Sequence, residues 1–306
     1  MRLMQHKKEA YWFYRFLSIF YDDLVNPLFW TEPMREKSLA IAGLDELDAD
    51  DTVIDVGSGT GFTTEGIVKY VDAAQVTCID QSPHQMQHAK AKPALRGAKF
   101  HLGDAENLPV TTNSYDRYVS AGSIEYWPHP AQGVREAYRV LKPGGRATLI
   151  GPVEPPTWWG RLLSETWMLF PPLEDYRRWY EQAGFEDIRV ANLNPGWYTG
   201  DVPFAISISG RKPADGPDEA PAIPEPRDEE AYGLAASAKT VGRVLVGSAA
   251  GGAFIPMALG AKALAAVRGT DDPREPLTNA QKGVLLGLGV AAAVGIGAWL
   301  SRRDSE

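Results

Sequence analysis

The chain has 306 residues, enough for one large domain or two modest ones. Its 31 lysines and arginines face 39 aspartates and glutamates, a net charge of −8, and this balance argues against a nucleic-acid-binding protein, which would carry a basic face. The single cysteine excludes a disulfide framework and any multi-cysteine metal site.

The first predicted element is an aromatic helix within an N-terminal segment, residues 1–45. Residues 10–30 are crowded with aromatic side chains, and helical spacing puts Trp12, Phe16 and Ile19 on one face. The pattern leaves two interpretations open. The helix either packs into the core, or it caps an apolar ligand pocket or rests on a membrane.

Between residues 46 and 212, apolar strand-like runs alternate with helical segments. The predicted strands are residues 52–56, 75–80, 98–102, 116–121, 146–151, 188–192 and 204–209. The predicted helices are residues 63–70, 83–92, 132–141 and 174–183. This alternation indicates βαβ units, so we expect an α/β fold with a doubly wound, Rossmann-like parallel sheet.

The C-terminal third of the chain has a different composition. Residues 213–238 are predicted to form an acidic, proline-rich linker, because no apolar periodicity survives there. Residues 239–306 contain two runs without charged side chains, 244–261 and 283–301, each close to the length that crosses a bilayer. Flanking lysines and arginines and many small residues favour a transmembrane helical hairpin. A soluble hairpin or a dimerisation element is the alternative, since Pro256 interrupts the first run.

A glycine-rich turn follows the first predicted strand. Asp55, Gly57, Gly59 and Gly61 form the pattern Asp-x-Gly-x-Gly-x-Gly, in which the glycines allow a positive φ and close approach to a ligand. A dinucleotide fingerprint would place its third glycine at position 62, which is Phe62. The pattern instead resembles motif I of class I S-adenosylmethionine-dependent methyltransferases. This resemblance implies a loop that holds the amino-acid part of S-adenosyl-L-methionine.

Residues at the other predicted strand ends fit the same class. Asp80 ends the second strand, where a carboxylate can accept bonds from two ribose hydroxyls. The resemblance implies that Asp104 and Ala105 meet the adenine, and that Ser120 lies along the methionine portion. Thr64 either caps the first helix or bonds the cofactor. The predicted cofactor-binding residues are Asp55, Gly57, Gly59, Gly61, Thr64, Asp80, Gln81, Asp104, Ala105 and Ser120.

Longer segments carry a narrower resemblance. Residues 7–19 (KKEAYWFYRFLSI), 80–85 (DQSPHQ) and 120–128 (SAGSIEYWP) look like the 2-methyl-6-phytyl-benzoquinol methyltransferase family, and residues 135–142 (REAYRVLK) and 167–171 (WMLFP) extend the match. The family is similar to the ubiquinone and menaquinone C-methyltransferases. It implies methyl transfer from S-adenosyl-L-methionine to a ring carbon of a prenylated quinol.

The resemblance also bears on location. Plant members of the family act at the chloroplast envelope, held by a C-terminal membrane segment. This chain shows neither a signal peptide nor a transit peptide. We therefore expect a prokaryotic, membrane-associated protein whose catalytic domain lies in the cytoplasm.

The predicted catalytic residues follow the fourth strand, at the sheet edge where ligands bind in this architecture. Glu125 is the first candidate for a general base that deprotonates a phenol, and His129 is the second. The alternatives are a helix-starting or surface acid for Glu125 and an exposed loop residue for His129. Substrate contacts are expected from aromatic side chains, namely Tyr11, Tyr14, Trp127 and Trp167.

Two other functions would share these features. One is methyl transfer to another membrane lipid, such as a sterol or phospholipid. The other is a non-catalytic, S-adenosylmethionine-binding module tethered to a membrane. No metal site is predicted for any of the three functions, because the histidines are scattered and none pairs with an acid at ligand spacing.

Overall fold

The computed structural model describes residues 30–158, 161, 169–196, 198 and 200–221. These residues belong to one compact unit, except Gly196 and Tyr198, which belong to a second one. The predicted aromatic helix and the predicted C-terminal hairpin lie outside the described residues. So do three of the four predicted substrate contacts, namely Tyr11, Tyr14 and Trp167.

Strands and helices alternate along the described chain. The strands are β1 (Val53–Val56), β2 (Val76–Asp80), β3 (Lys99–Leu102), β4 (Tyr115–Ala121), β5 (Leu141–Pro152), β6 (Glu186–Leu193) and β7 (Ala205–Arg211). The helices are α1 (Glu32–Ala40), α2 (Phe62–Ile67), α3 (Pro83–Ala91), α4 (Pro130–Val140) and α5 (Leu173–Ala183).

The strands form one seven-stranded sheet in the order β3-β2-β1-β4-β5-β7-β6. Strands β1 to β5 are parallel, whereas β7 is antiparallel to both β5 and β6. The strand order reverses between β1 and β4, and ligands bind at the carboxyl ends of strands at such a point. The predicted Rossmann-like α/β fold is confirmed. The antiparallel pairing of β7 was not predicted, because apolar periodicity does not report strand direction.

The central strands are apolar because both of their faces are covered. Every residue of β1 and β2 is buried, as is typical of parallel strands between two helical layers. One apolar cluster packs β4, β5 and β7 against α4 and α5, and a second packs β1 and β2 against α1 and α2. The two layers hold the carboxyl ends of β1, β2 and β4 in fixed positions beside one another.

Helix α1 was not predicted, and it supports the start of α2. Arg35 of α1 is buried, and its Nη1 donates to the carbonyl of Phe62 at 3.0 Å. Its guanidinium also lies 4.5 Å from the centroid of the Phe62 ring. Two glutamates on α1, Glu32 and Glu36, pair with the same arginine. A segment that sequence reasoning treated only as part of a cap therefore fixes the residue directly after the glycine-rich turn.

The chain does not leave the domain at the predicted boundary, residue 212. Lys212 is fully buried, and its Nζ donates to the carbonyl of Asp218 at 2.8 Å. Asn113 donates to the Asp218 carboxylate at 2.6 Å, and Ala220 is buried in the core cluster beside α4 and α5. The first residues of the predicted linker, up to residue 220, thus pack against the domain.

Replacing Lys212 by methionine is expected to lower the free energy of unfolding by about 2–4 kcal/mol. The ammonium also donates to Asn113 Oδ1 at 2.8 Å and to the carbonyls of Leu141 at 3.0 Å and Tyr138 at 3.1 Å, so its loss leaves several buried acceptors unpaired. Urea unfolding of the full chain measures the change. Lys37→Met is the matched control, because Lys37 is exposed and, among the described residues, donates to the carbonyl of Asn192 alone. Equal effects of the two substitutions would contradict the prediction.

Within the described part of the chain, no helix combines the length and apolar character needed to cross a membrane.

Candidate active site

The glycine-rich turn after β1 adopts backbone conformations that residues with a side chain rarely adopt. Gly57, Gly59 and Gly61 have φ values of 71°, 54° and 85°, in the left-handed region that glycine tolerates best. A Cβ on Gly57 would lie 2.3 Å from Ser123 Oγ, and one on Gly59 would lie 2.9 Å from Gln85 Oε1. The turn therefore presents bare backbone at the end of β1, as close approach to a ligand requires.

Asp80 closes β2 beside this turn. Its Oδ2 accepts from the Gly59 amide at 2.8 Å, and its Oδ1 accepts from the Ser82 amide at 2.7 Å. Burial raises the pKa of this carboxyl, and the backbone bonds oppose the rise. The Gln81 amide is a third backbone donor to this carboxyl, and three bonds leave part of its accepting capacity unused. The predicted ribose-binding acid thus lies at a strand end, joined to the glycine turn. Gln81, next to it, is exposed.

Asp55 and Thr64 form a buried pair under the turn. Thr64 Oγ1 donates to Asp55 Oδ2 at 2.6 Å, which joins the end of β1 to α2. Burial and the nearby Asp80 charge raise the pKa of Asp55 to about 7, and the Thr64 bond opposes this rise. Both side chains are buried, so the pair holds the shape of the turn from beneath.

Asp104 and Ala105 lie on the loop that follows β3, and side-chain bonds hold that loop in place. Asp104 Oδ1 accepts from the Glu106 amide at 3.0 Å. Farther along, the Leu108 amide donates to Glu136 Oε2 at 2.7 Å, and Arg139 donates to the Leu108 carbonyl at 3.1 Å. Glu136 and Arg139 also pair with each other at 2.7 Å. An ion pair on α4 therefore sets the position of the predicted adenine loop.

The end of β4 supplies a second wall. Ser120 is buried in β4 next to β1, as the predicted course of the cofactor requires. Ser123 was not predicted, and its Oγ is the atom that a Gly57 side chain would strike. The same oxygen accepts from the indole N–H of Trp127 at 2.9 Å. The β4 loop and the glycine turn therefore touch through Ser123.

Glu125 lies in a short helical turn, Ile124–Tyr126, directly after β4. The residue is 8% exposed, and one carboxyl oxygen, Oε2, has no hydrogen-bond partner among the residues that the structure describes. Burial raises the pKa of its carboxyl to about 8. Such a perturbed acid at the ligand-binding edge is a feature of functional sites. The surface-acid interpretation of Glu125 is wrong, because the side chain is buried.

The other two described candidates occupy different surroundings. His129 is exposed and precedes the first turn of α4, where its backbone amide donates to Glu106 Oε1. Trp127 is buried in the core cluster, where a Cβ on Gly133 would lie 2.4 Å from its ring. Glu125 is thus buried directly after the carboxyl end of β4. His129 is exposed, and Trp127 has a packing role.

Sequence reasoning missed several residues that shape this site, namely Arg35, Gln85, Glu106, Ser123 and Glu136. Gln85, Ser123 and Glu136 lie in segments that carry the family resemblance, but no spacing pattern assigns a role to any of the five, so their roles come from the folded contacts. Among the described residues, no three His, Cys, Asp or Glu side chains converge as a metal site would require.

Comparison with known proteins agrees with this geometry. Residues 54–149 match the family model described as a methyltransferase domain. The chain is 54% identical to the 2-methyl-6-phytyl-1,4-hydroquinone methyltransferase of Arabidopsis thaliana, over 75% of this chain and 68% of the relative. It is 52% identical to enzyme 1 of the same name from Oryza sativa, over 75% and 70%. A methyltransferase structure from Thermotoga maritima shares the fold, with a TM-score of 0.52, 20% identity and coverage of 66% of this chain and 99% of that one.

These relatives correct the expected location. Both plant enzymes are named as chloroplastic. These relatives contradict the prediction of a prokaryotic protein with its catalytic domain in the cytoplasm.

The glycine turn, Asp80 and the Asp104 loop lie at three adjacent strand ends, where ligands bind in such a fold, and the matches cover this whole region. The chain is an S-adenosylmethionine-dependent methyltransferase and belongs to the 2-methyl-6-phytyl-1,4-hydroquinone methyltransferase family.

Proposed function

We propose that the protein methylates a ring carbon of a prenylated hydroquinone of the 2-methyl-6-phytyl type. The observation that carries this proposal is the 54% identity to a chloroplast enzyme named for that substrate. Residues 120–128, which include Glu125, are among the segments by which the chain resembles the family. The plant relatives also point to a plastid as the place of the reaction.

Bound S-adenosyl-L-methionine would supply the methyl group as an electrophile. Gly57, Gly59 and Gly61 would hold its amino-acid portion, Asp80 its ribose hydroxyls and Asp104 its adenine. Because the leaving group is neutral, the main tasks of the protein are to align the ring carbon and to raise its electron density.

Glu125 is our candidate for the second task. A phenol becomes a much stronger carbon nucleophile when it loses its proton, and a carboxylate near the ring can accept that proton. The burial of Glu125 keeps its carboxyl protonated at neutral pH in the free site, with a pKa of about 8. A base transfers protons most efficiently when its pKa lies near the pH at which it works, and a pKa of about 8 suits a base that works near neutral or slightly alkaline pH.

The decisive experiment incubates the full chain with S-adenosyl-L-methionine and 2-methyl-6-phytyl-1,4-hydroquinone in detergent micelles. We expect a product heavier by one methylene, with the added methyl group on a ring carbon by fragmentation mass spectrometry. A demethylated menaquinol, a sterol and a phospholipid serve as competing acceptors. Exclusive labelling of one of these would assign another substrate. Cofactor binding without transfer to any acceptor would favour a non-catalytic module.

We also propose that residues 239–306 attach the enzyme to a membrane. Two uncharged runs of bilayer length, each flanked by basic residues, support this. A lipid substrate with a long prenyl tail resides in a membrane, so attachment would bring the enzyme to it.

Deleting residues 222–306 is expected to release the protein from membranes without changing its affinity for S-adenosyl-L-methionine. The cut lies beyond Asp218 and Ala220, which pack on the domain, so the fold keeps its contacts. Sedimentation with membranes in about 0.5 M KCl, which screens surface charge, measures the release. A second variant that ends at Lys212 should bind membranes no better but unfold more readily. Continued sedimentation of the longer variant would contradict a C-terminal anchor.

A further inference from the structure

Within the part of the chain that the structure describes, the longest stretch without an acid is residues 81–103. Residues 81–103 contain four lysines and arginines, three histidines and no aspartate or glutamate, although the chain as a whole has a net charge of −8. The stretch comprises α3, the following loop and β3. Its position at one end of the sheet brings these charges together on a single border of the domain.

The cationic side chains on this border face solvent. Lys90, Arg96 and Lys99 are exposed, and none of them pairs with a described carboxylate. Lys92 is the exception, since its Nζ lies 2.7 Å from Glu65 Oε2. We call the exposed residues His84, His88, Lys90, Arg96, Lys99 and His101 the basic edge.

The basic edge is also a strand border with an apolar tip. Strand β3 pairs with β2 on one side and ends the sheet on the other. Leu102, its last residue, is 57% exposed and directly precedes the loop that carries Asp104. Phe100 lies beneath Lys90, whose Nζ is 5.7 Å from the ring centroid. Apolar groups therefore accompany the charges at the end of β3 nearest the cofactor loop.

We propose that the basic edge docks on an anionic lipid surface, with Leu102 entering the interfacial region. The inference rests on the proposed function, because a prenylated hydroquinone must be drawn from a membrane. Each lysine or arginine near an anionic surface contributes about 1 kcal/mol of attraction, whereas the rest of the described domain carries more acids than bases and is repelled. The domain would thus meet the membrane with β3 and its adenine loop, rather than with an arbitrary face.

The alternatives fit the observations less well. A nucleic acid would be attracted by the same charges, but the lipid substrate and the exposed Leu102 have no counterpart in such binding. A symmetric pair of chains joined at this border would set two acid-free strand borders against each other, so that like charges would face each other. An anionic membrane satisfies both the charge and the apolar tip.

A fluorescent probe tests the docking in the full chain. Leu102→Cys offers an exposed thiol for an environment-sensitive dye, while the native Cys78 is buried and stays unlabelled. We expect a blue shift on phosphatidylcholine vesicles that contain about 30% phosphatidylglycerol, and none on pure phosphatidylcholine. The same dye at Arg177→Cys, on the exposed face of α5, should not shift. Because the probe reports which surface meets lipid, it works whether or not residues 239–306 hold the chain on the vesicle.

Charge neutralisation supplies the second arm. Arg96→Gln with Lys99→Gln should weaken the probe's response to anionic vesicles about 10- to 30-fold, whereas Arg177→Gln with Arg178→Gln, which removes equal charge, should not. No shift on anionic vesicles, equal effects of the two pairs, or dimerisation lost through Arg96→Gln with Lys99→Gln would overturn the proposal. A duplex DNA that binds the basic edge while vesicles do not would also overturn it. Methyl transfer in detergent micelles reports separately on the proposed function.

Discussion

Replacing Glu125 by glutamine is expected to lower kcat by about 10²- to 10⁴-fold, the usual contribution of a general base, while leaving the affinity for S-adenosyl-L-methionine within about twofold. Glutamine keeps the size and the hydrogen-bonding shape of the side chain but cannot accept a proton. The buried turn Ile124–Tyr126 should therefore keep its structure. Steady-state methyl transfer and calorimetric titration of the cofactor measure the two quantities.

The pH dependence of the reaction tests the same role independently. Burial raises the pKa of Glu125 to about 8, so the fraction of ionised base in the free enzyme grows as the pH rises toward that value. We expect kcat/KM of the wild type to increase between about pH 6 and 8 and then to level off. The residual activity of Glu125→Gln should lack this rise.

Stability should change with pH in the opposite direction. The folded pKa of Glu125 lies above its unfolded value, so its contribution to stability is complete below about pH 4 and is lost as the pH rises toward 8. Glutamine does not titrate. As the pH rises over this range, the unfolding free energy of Glu125→Gln should therefore increase relative to that of the wild type, by at most about 1.4 kcal/mol per pH unit. Urea unfolding at several pH values measures this difference.

His129→Gln is the comparison that decides between the two candidate bases. His129 is exposed at the start of α4 and takes part in the fold through its backbone amide, which glutamine retains. We expect activity within a few-fold of the wild type. A large loss in His129→Gln together with a small one in Glu125→Gln would transfer the role to the histidine.

The elements of the fold could be predicted from the sequence more readily than the contacts between them. Glycine spacing and apolar runs identified β1, β2 and β4, because parallel central strands are apolar throughout and end in ligand-binding turns. Helix α1 escaped, since its residues show no apolar stripe and its key side chain, Arg35, is a buried cation. The direction of β7 and the packing of residues 213–220 against the domain were not predicted either, because both depend on contacts between distant parts of the chain.

The same limit applies to the site. Asp55, Asp80 and Asp104 could be found because they stand at strand ends, where position alone indicates a ligand. Ser123 could not be found, because its importance comes from a loop 66 positions away in the chain, at Gly57. Local sequence patterns thus predict residues at the ends of strands. Residues such as Ser123, which shape the site through contacts between distant loops, are found only in the folded structure.

Gly57→Ala is expected to raise the Kd for S-adenosyl-L-methionine at least about tenfold and to lower the free energy of unfolding by more than the cost of a left-handed alanine, about 1–2 kcal/mol. The φ of Gly57 is 71°, and the new methyl group would lie 2.3 Å from Ser123 Oγ and 2.5 Å from Ser123 Cβ. The glycine turn or the β4 loop must then move, and both border the proposed cofactor site. Calorimetric titration and urea unfolding measure the two effects.

Gly144→Ala isolates the strain from the clash. Gly144 has a φ of 85°, but nothing lies within 4 Å of its Cβ position, so this variant should lose only the backbone cost and bind the cofactor normally. Ser123→Gly removes both atoms that Gly57→Ala would strike. Gly57→Ala should lose more unfolding free energy than Gly144→Ala, and the difference is the cost of the clash. In a double-mutant cycle, adding Ser123→Gly to Gly57→Ala should therefore restore this difference, after correction for the effect of Ser123→Gly alone. An additive cycle would mean that the two loops do not constrain each other, and that the cofactor turn is held by β1 and α2 alone.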